Sequence, residues 1–596
     1  MSRWCACLTA DDPAGQVAAM GGRPVPTRAG RHALGLLDGP GAAAGPYRVG
    51  DVYAIGEVTL HNAPELRARL AAGGAGAAGA TGAAGSAGAG PVPRDCSDGE
   101  LLLRAYVRFG AAGLAAADGM FALVIAEGDE LVLVRDHMGA RTLFHARAGT
   151  GDRAAWAAST SLRALQRWPA LDTGLHLPAV RSFLTFAYLP GRETLLRGIH
   201  EVLPGRCLRL RPDGSSVEET YWEPAEVADE RPAAEHVREL RELLESATAR
   251  RLPAAEPVGV LLSGGVDSSL VTALAAKLHD QAVRSYSISF GGDAPNELAY
   301  SGLVAAHCHT EHQVLTVPGE SVAARLPETV ALLDSPVGDP LTVPNLMLAE
   351  AVAADGMSVV LNGEGGDPVF GGPKNLPMLI HELHREEAGA DSRAWAYVDS
   401  YRKCHSDLPV LLTPGVLAEL AQAPPVTDLL APYLTQGRMN SLLNQLLHTN
   451  LRTKGAHHIL TKVERITASQ GLEGRAPLFD RAVVDHAFRV PPRLKLAGTS
   501  EKWILKEAVR DLLPPTIVDR PKSGMRVPVQ QWLDGPLREL GHDLLLGGSA
   551  RARGLFREDT IRSWLRREGT LLPRQGGKLW LVLTLELWLR SFEVGA

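Results

Sequence analysis

The chain has 596 residues, 45% of them hydrophobic, with a formal net charge of -6 at pH 7 and a pI near 6.4. That length exceeds one hydrophobic core, so about two to four domains are expected. There is no basic surplus of the kind that binds nucleic acid, and no uncharged apolar run of about 18 residues that could span a membrane. A soluble, cytoplasmic protein without nucleic-acid or membrane partners is the expectation. The six cysteines, scattered from Cys5 to Cys404, read as reduced thiols, and Cys5-x-Cys7 lacks the second pair that a zinc site needs.

From Tyr53 to Trp222 short apolar runs alternate with turn signals. Gly56-Glu57 precedes an amphipathic helix at Ala63–Leu70. Residues 71–93 are almost pure Ala and Gly, which cannot bury enough side chain to offset ordering entropy and read as a flexible insertion. Ser97-Asp98-Gly99-Glu100, the strand-like Asp118–Ile125, Leu131–Phe144 and Gly205–Leu210, and Thr220-Tyr221-Trp222 follow in that order. Near Glu223-Pro224 the strand pattern stops, and Ala234–Leu252 reads as a charged amphipathic helix.

The apolar run Val258–Leu262 breaks into Ser263-Gly264-Gly265 and then, past Val266-Asp267-Ser268-Ser269, into a helix. Strand, tight turn and helix hold phosphate: glycines let the backbone approach an anion, and the helix start aims free N–H groups at it. Asp267, an acid beside a polyphosphate, makes sense only with a cation between them. Further runs at Val283–Phe290, His312–Val317 and Met357–Leu361 alternate with helical segments, which argues for a doubly wound parallel sheet with ligands at the strands' carboxyl ends. The last run ends in Asn362-Gly363-Glu364-Gly365-Gly366-Asp367-Pro368-Val369-Phe370-Gly371-Gly372. Later come Glu464–Asp480, Ser500-Glu501-Lys502-Trp503 and Arg520-Pro521-Lys522-Ser523-Gly524-Met525.

This order resembles asparagine synthetase of the glutamine-dependent type over nearly the whole chain. Ser263–Ser268 is similar to the pyrophosphate loop of enzymes that split ATP into AMP and pyrophosphate. The resemblance implies an N-terminal Ntn-hydrolase-like two-sheet sandwich and a C-terminal doubly wound parallel-sheet ATP-pyrophosphatase domain with helical additions, α+β and α/β in class. The first is a degenerate glutamine amidotransferase type 2-like domain at 1–225, the second an asparagine synthetase-like domain at 230–596. ATP and Mg²⁺ are the implied cofactors. Asp267 and Asp367 would hold the metal, and Glu364 and Lys502 would be catalytic. Leu262, Ser263, Gly264, Gly265, Asp267, Ser268, Ser269, Ser287, Ile288, Gly363 and Lys522 would bind ATP and pyrophosphate. Pro368 stands where the family usually has Glu.

The amidotransferase half departs from the family's pattern. The family's nucleophile is a cysteine exposed once Met is removed, whereas trimming Met1 here would expose Ser2, and Cys5 sits inside the chain with an amide nitrogen. The family's Asn-Gly oxyanion pair is Ile55-Gly56, and isoleucine donates nothing. Glu57 and Asp98 remain as scaffold. The expected reaction is adenylation of a carboxylate followed by attack of an amine. A lasso-peptide-type macrolactam cyclase is the favoured reading, on the Arg3-Trp4-Cys5-Ala6 opening and on Glu364, where a β-lactam synthetase would carry Tyr. An ammonia-dependent asparagine synthetase and a small-molecule amide or β-lactam synthetase are the alternatives; a non-catalytic scaffold is disfavoured by the joint presence of Asp267, Glu364, Asp367 and Lys502. The partner is a carboxylate substrate with an amine nucleophile, a precursor peptide on the favoured reading, and a homodimer falls within the expectation. The acyl pocket is expected between the sheet and a helical region near 394–450.

Overall fold

The structure is a computed structural model and describes residues 3–25, 27, 31–37, 45–72, 92–93, 95–292, 297–372, 378–379, 390–401, 403–522, 524–568 and 575–595. Ser2 and most of the Ala/Gly insertion expected at 71–93 lie outside the described residues. The chain divides into two units, Met1–Gly174 with Gly191–Glu223 and Leu175–Pro190 with Pro224–Ala596.

In the first unit two six-stranded antiparallel sheets face each other. One orders Ile199–Glu201, Phe144–Ala148, Ala155–Ser159, Arg3–Leu8, His32–Leu37 and Gly22–Val25; the other orders Ser216–Thr220, Arg206–Leu210, Glu130–Arg135, Gly119–Glu127, Val52–Leu60 and Tyr47–Val49. Side-chain alternation assigns the two faces of the second sheet. Ala122, Val124 and Ala126 point inward to Trp4, Ala6 and Leu34 of the opposite sheet. Phe121, Leu123 and Ile125 point outward onto the helices Ala63–Ala71 and Asp98–Phe109. Both faces are covered, which is why this strand reads as one apolar run instead of alternating.

The second unit is built on a five-stranded parallel sheet ordered Glu311–Thr316, Val283–Ser289, Val258–Leu261, Val359–Leu361 and Glu473–Arg475. The strand order reverses direction between Val258–Leu261 and Val359–Leu361, so the loops leaving these two neighbours part to opposite faces and open a crevice at their carboxyl ends. Helices Val266–Leu278 and Leu298–His307 cross between the first strands, and Thr342–Ala354 leads into the fourth. The helix Leu442–Asn450 widens into a π-helix over Leu451–Ile459 and resumes as Leu460–Ser469. Segment Leu175–Pro190 packs in this unit: Phe186 and Tyr188 join Tyr397, Tyr401 and Leu430 in one core. No helix among the described residues is long and apolar enough to cross a membrane.

Candidate active site

The phosphate-loop motif sits at the point where strand order reverses. Gly264 has φ +80, a left-handed turn that favours glycine, and a Cβ there would stand 2.7 Å from Ser301 N and from Tyr300 Cβ. Ser263 N donates to Ser268 Oγ at 3.1 Å, and Ser268 Oγ lies 3.2 Å from the Gly265 carbonyl, so the loop is folded onto the first turn of helix Val266–Leu278. Asp267 is in that first turn, 6% exposed, and its Oδ1 is buried without a hydrogen-bond partner among the described residues.

The glycines of the loop after Leu361 are there because the two loops touch. A Cβ at Gly363 would lie 2.4 Å from Ser268 N, and one at Gly366 would lie 2.2 Å from Asp267 Oδ1. This approach carries Asp367 to the same point as Asp267. Lys502 Nζ bridges them, 2.6 Å from Asp267 Oδ2 and 2.5 Å from Asp367 Oδ1, with the lysine side chain 1% exposed. Lys522 Nζ lies 3.2 Å and 3.6 Å from the same two oxygens. Lys502 follows the short hairpin Leu496–Ala497/Ser500–Glu501 and caps helix Trp503–Ala508 at φ +57, a backbone conformation that costs a non-glycine residue about 1–3 kcal/mol and recurs at functional sites. Burial raises the Asp367 carboxyl, but Lys502 and then Lys522 override it and hold it well below the ordinary carboxylate range. Asp267 in turn lifts Lys522 above the usual lysine value, against desolvation.

These groups open onto a cavity of about 410 Å³. Leu262, Ser263, Gly265, Asp267, Ser268, Ser287, Ile288, Gly363, Glu364, Asp367 and Lys522 line it, as do Glu297 and Met525. Three of the sequence-predicted residues do not line it. Gly264 is pressed against Tyr300 and Ser301, Ser269 is fully buried in the helix, and Lys502 lies behind the two carboxylates.

The helical wall comes from Asp339–Ala349 and Lys454–Thr467, and the region 394–450, where sequence reasoning expected it, contributes none of the lining. Val398, Tyr401, Leu430, Leu434 and Leu446 of that region are committed to their own core with Phe186 and Tyr188. Lys462 Nζ pairs with Asp339 Oδ2 at 2.7 Å, and His458 Nε2 lies 3.9 Å from the same oxygen. Desolvation opposes the charge on both, yet Lys462 keeps Asp339 well below its ordinary value and Asp339 keeps Lys462 above its own. Burial drives His458 well down against the pull of Asp339, so the ring is neutral at pH 7. Lys454, His458 and Lys462 stand four residues apart, one face of a helix, a spacing that ordinarily marks a solvated face, so no local signal singles them out.

In the first unit, Cys5 sits in mid-strand, paired with Gly35 on one side and Ser159 on the other. Its side chain is fully buried, its Sγ lies 3.9 Å from the Val17 carbonyl, and burial pushes the thiol up to about 12. Ile55 is packed between the sheets. Asp98 Oδ2 accepts from Leu60 N at 2.8 Å, and Glu57 Oε1 pairs with Arg141 Nε at 3.0 Å.

The match to a synthetase family makes the chain an ATP-dependent carbon–nitrogen ligase. The chain belongs to the asparagine synthase family, whose model matches residues 239–590; the model of the glutamine amidotransferase domain matches residues 89–222. Asparagine synthetase [glutamine-hydrolyzing] 1 of Bacillus subtilis (strain 168) is 25% identical over 518 residues, covering 83% of this chain and 80% of that protein. The carboxyethyl-arginine beta-lactam-synthase of Streptomyces clavuligerus is 29% identical over 442 residues, 73% and 69% of the two chains. An amidase of Gibberella zeae, chry2, is 25% identical over 508 residues, 74% of each.

Proposed function

We propose that this ligase adenylates a carboxylate and closes it onto an amine carried by the same substrate, as a lasso-peptide-type macrolactam cyclase does, and that its amidotransferase unit makes no ammonia. The observation that carries the proposal is Cys5. A glutaminase needs a thiolate, a free α-amine to activate it and oxyanion donors. Cys5 is a sealed, protonated thiol on a peptide nitrogen in mid-strand, and Ile55 offers no donor. Glu57 and Asp98 hold Arg141 and the Leu60 amide instead. With no ammonia generated in the chain, the amine comes from solution or from the substrate, and an intramolecular amine has the far higher effective concentration.

The free N–H groups at the start of helix Val266–Leu278, with Ser263 and Ser268, receive the pyrophosphate end of ATP. Asp267 and Asp367 fit a Mg²⁺ ion: Asp267 Oδ1 is a buried carboxylate oxygen with no hydrogen-bond partner among the described residues, and the two acids already gather around one cationic point. When bound, that ion offsets negative charge on the departing pyrophosphate. Lys502, behind the two carboxylates, offsets their charge and holds them together, and Lys522, which lines the cavity, is the cation that faces charge developing at the α-phosphate. Glu364, on the cavity wall, takes the proton from the incoming amine.

Conversion of aspartate and ammonium is the competing reading, and the likeness to the Bacillus subtilis synthetase favours it. The two are separated by offering the enzyme ATP and Mg²⁺ with either aspartate plus excess ammonium or a linear peptide bearing a free N-terminal amine and a side-chain carboxylate. The proposal expects AMP and loss of one water from the peptide, with little AMP from aspartate. Ordinary turnover of aspartate to asparagine would overturn it.

A further inference from the structure

One guanidinium outside the cavity ties the Gly264 turn to Glu297 and Tyr300. Arg520 Nη1 donates to the Gly264 carbonyl at 3.2 Å, Nη2 pairs with Glu297, and the guanidinium carbon lies 3.8 Å from the centroid of the Tyr300 ring. Glu297 and Tyr300 flank the start of helix Leu298–His307, the element against which the Gly264 turn is pressed. Two residues past Arg520, Lys522 N donates to Glu501 Oε1 at 2.8 Å, and Lys522 Nζ reaches Asp267. We infer that Arg520 is a positioning residue that fixes the orientation of the Gly264–Gly265 peptide for pyrophosphate binding.

The planarity of the Gly264–Gly265 peptide links its carbonyl and N–H groups. In a trans peptide the C=O and the following N–H point in opposite directions. Arg520 holds the Gly264 carbonyl away from the cavity, so Gly265 N–H faces the cavity side. Gly265 lines the cavity and Gly264 does not. That N–H makes only a long contact of 3.4 Å to Ser263 Oγ, which a phosphate oxygen would better. A peptide between two glycines has no side chain to resist rotation. Without an anchor it can flip, and a carbonyl oxygen would then meet the anion that the N–H should bind. The guanidinium supplies the anchor with a charge-assisted bond, its plane set by Glu297 and by stacking on Tyr300.

The inference rests on the phosphate-loop reading of Proposed function, and the test separates the two. Binding of inorganic pyrophosphate with Mg²⁺, and of AMP, is measured by calorimetry for the wild type and for Arg520→Met, alongside melting temperature. Arg520→Met should weaken pyrophosphate about tenfold or more, the scale of a lost hydrogen bond to a charged group. AMP affinity should be unchanged, a selectivity that a general loosening would not produce. Absence of pyrophosphate binding in the wild type would overturn the phosphate-loop reading itself, and the inference with it. Wild-type binding that Arg520→Met retains, or an equal loss of AMP and pyrophosphate in a folded variant, would overturn the inference alone. Should Arg520→Met fail to fold, Tyr300→Leu keeps the guanidinium and removes the ring beneath it, at a residue outside the cavity lining; pyrophosphate should weaken about threefold with AMP unaffected, and unchanged pyrophosphate binding would overturn the inference.

Discussion

Acidic residues in the two units look alike in sequence and differ in what surrounds them. In the N-terminal sandwich Asp98 caps a backbone amide and Glu57 faces Arg141; each has a protein partner that accounts for it. In the synthetase unit Asp267 keeps one oxygen buried and without a partner among the described residues, and both Asp267 and Asp367 share contacts with two lysines beside a cavity. The thiol follows the same contrast: Cys5 is sealed and its pKa is driven up to about 12 by burial alone. The difference teaches that retained side chains become scaffold when the structure satisfies them, and remain a site when charge is gathered and left open to a ligand.

The contrast is broken most sharply at the acid pair. Asp267→Asn or Asp367→Asn removes charge from a cluster that also holds Lys502, so substrate-dependent pyrophosphate release should fall about a thousandfold or more. Release within a few-fold of wild type from either variant would remove the pair from the chemistry. Next in size is Glu364→Gln. It should slow amide formation about a hundredfold while adenylate formation changes little, so that an acyl-AMP accumulates in rapid-quench experiments. Equal loss of both steps would assign Glu364 to ATP binding.

A smaller effect concerns stability. Lys495, seven residues before Lys502, is buried with its ammonium nitrogen 2.6 Å from Asn444 Oδ1 and 4.9 Å from the centroid of the Phe488 ring, and burial lowers it to about 7 against the pull of Glu226. Because the unfolded lysine keeps its proton until about pH 10.4, the unfolded state binds more protons between roughly pH 7 and 10, and stability rises with pH there. The slope from this one group approaches ~1.4 kcal/mol per pH unit. Urea midpoints for Lys495→Met should lack that component. The smallest effect is Cys5→Ala, which should leave amide synthesis within about twofold and cost at most ~1 kcal/mol of stability. Iodoacetamide should fail to label Cys5 in the native protein at pH 8; rapid labelling would contradict the sealed thiol.

The phosphate loop was legible because the reasons for its residues are local. A β-rich apolar run, a Gly-Gly turn and an acid at the helix start each follow from backbone geometry, and the structure puts them at the carboxyl end of the sheet's central strand, where a parallel fold binds ligands. The Gly-Glu-Gly-Gly-Asp loop was legible through its place at a strand end and its resemblance to the family's motif, and only the structure shows that Gly363 and Gly366 are required by contact with Ser268 and Asp267. The wall from Lys454 to Lys462 was not legible. Charged residues four apart on a helix ordinarily mark a solvated face, and the buried His458 and Lys462 here face Asp339, more than a hundred residues away. Nor could the sequence reveal that Leu175–Pro190 leaves the first unit to place Tyr188 within 5.5 Å of His458, ring to ring. Lys502 was recognised by its motif, while its place behind the carboxylates arises from a left-handed backbone turn that no local pattern announces.

The most direct test of the account follows the fate of ATP without glutamine. The full-length enzyme is incubated with ATP, Mg²⁺ and a linear peptide carrying an ¹⁸O-labelled side-chain carboxylate and a free amine, and nucleotide and peptide are resolved by mass spectrometry. The account predicts AMP bearing one ¹⁸O, pyrophosphate, and a peptide lighter by one labelled water, with the same yield from Cys5→Ala and none from Asp267→Asn. ADP as the nucleotide product, unlabelled AMP, or a product that forms only when glutamine is added would contradict it.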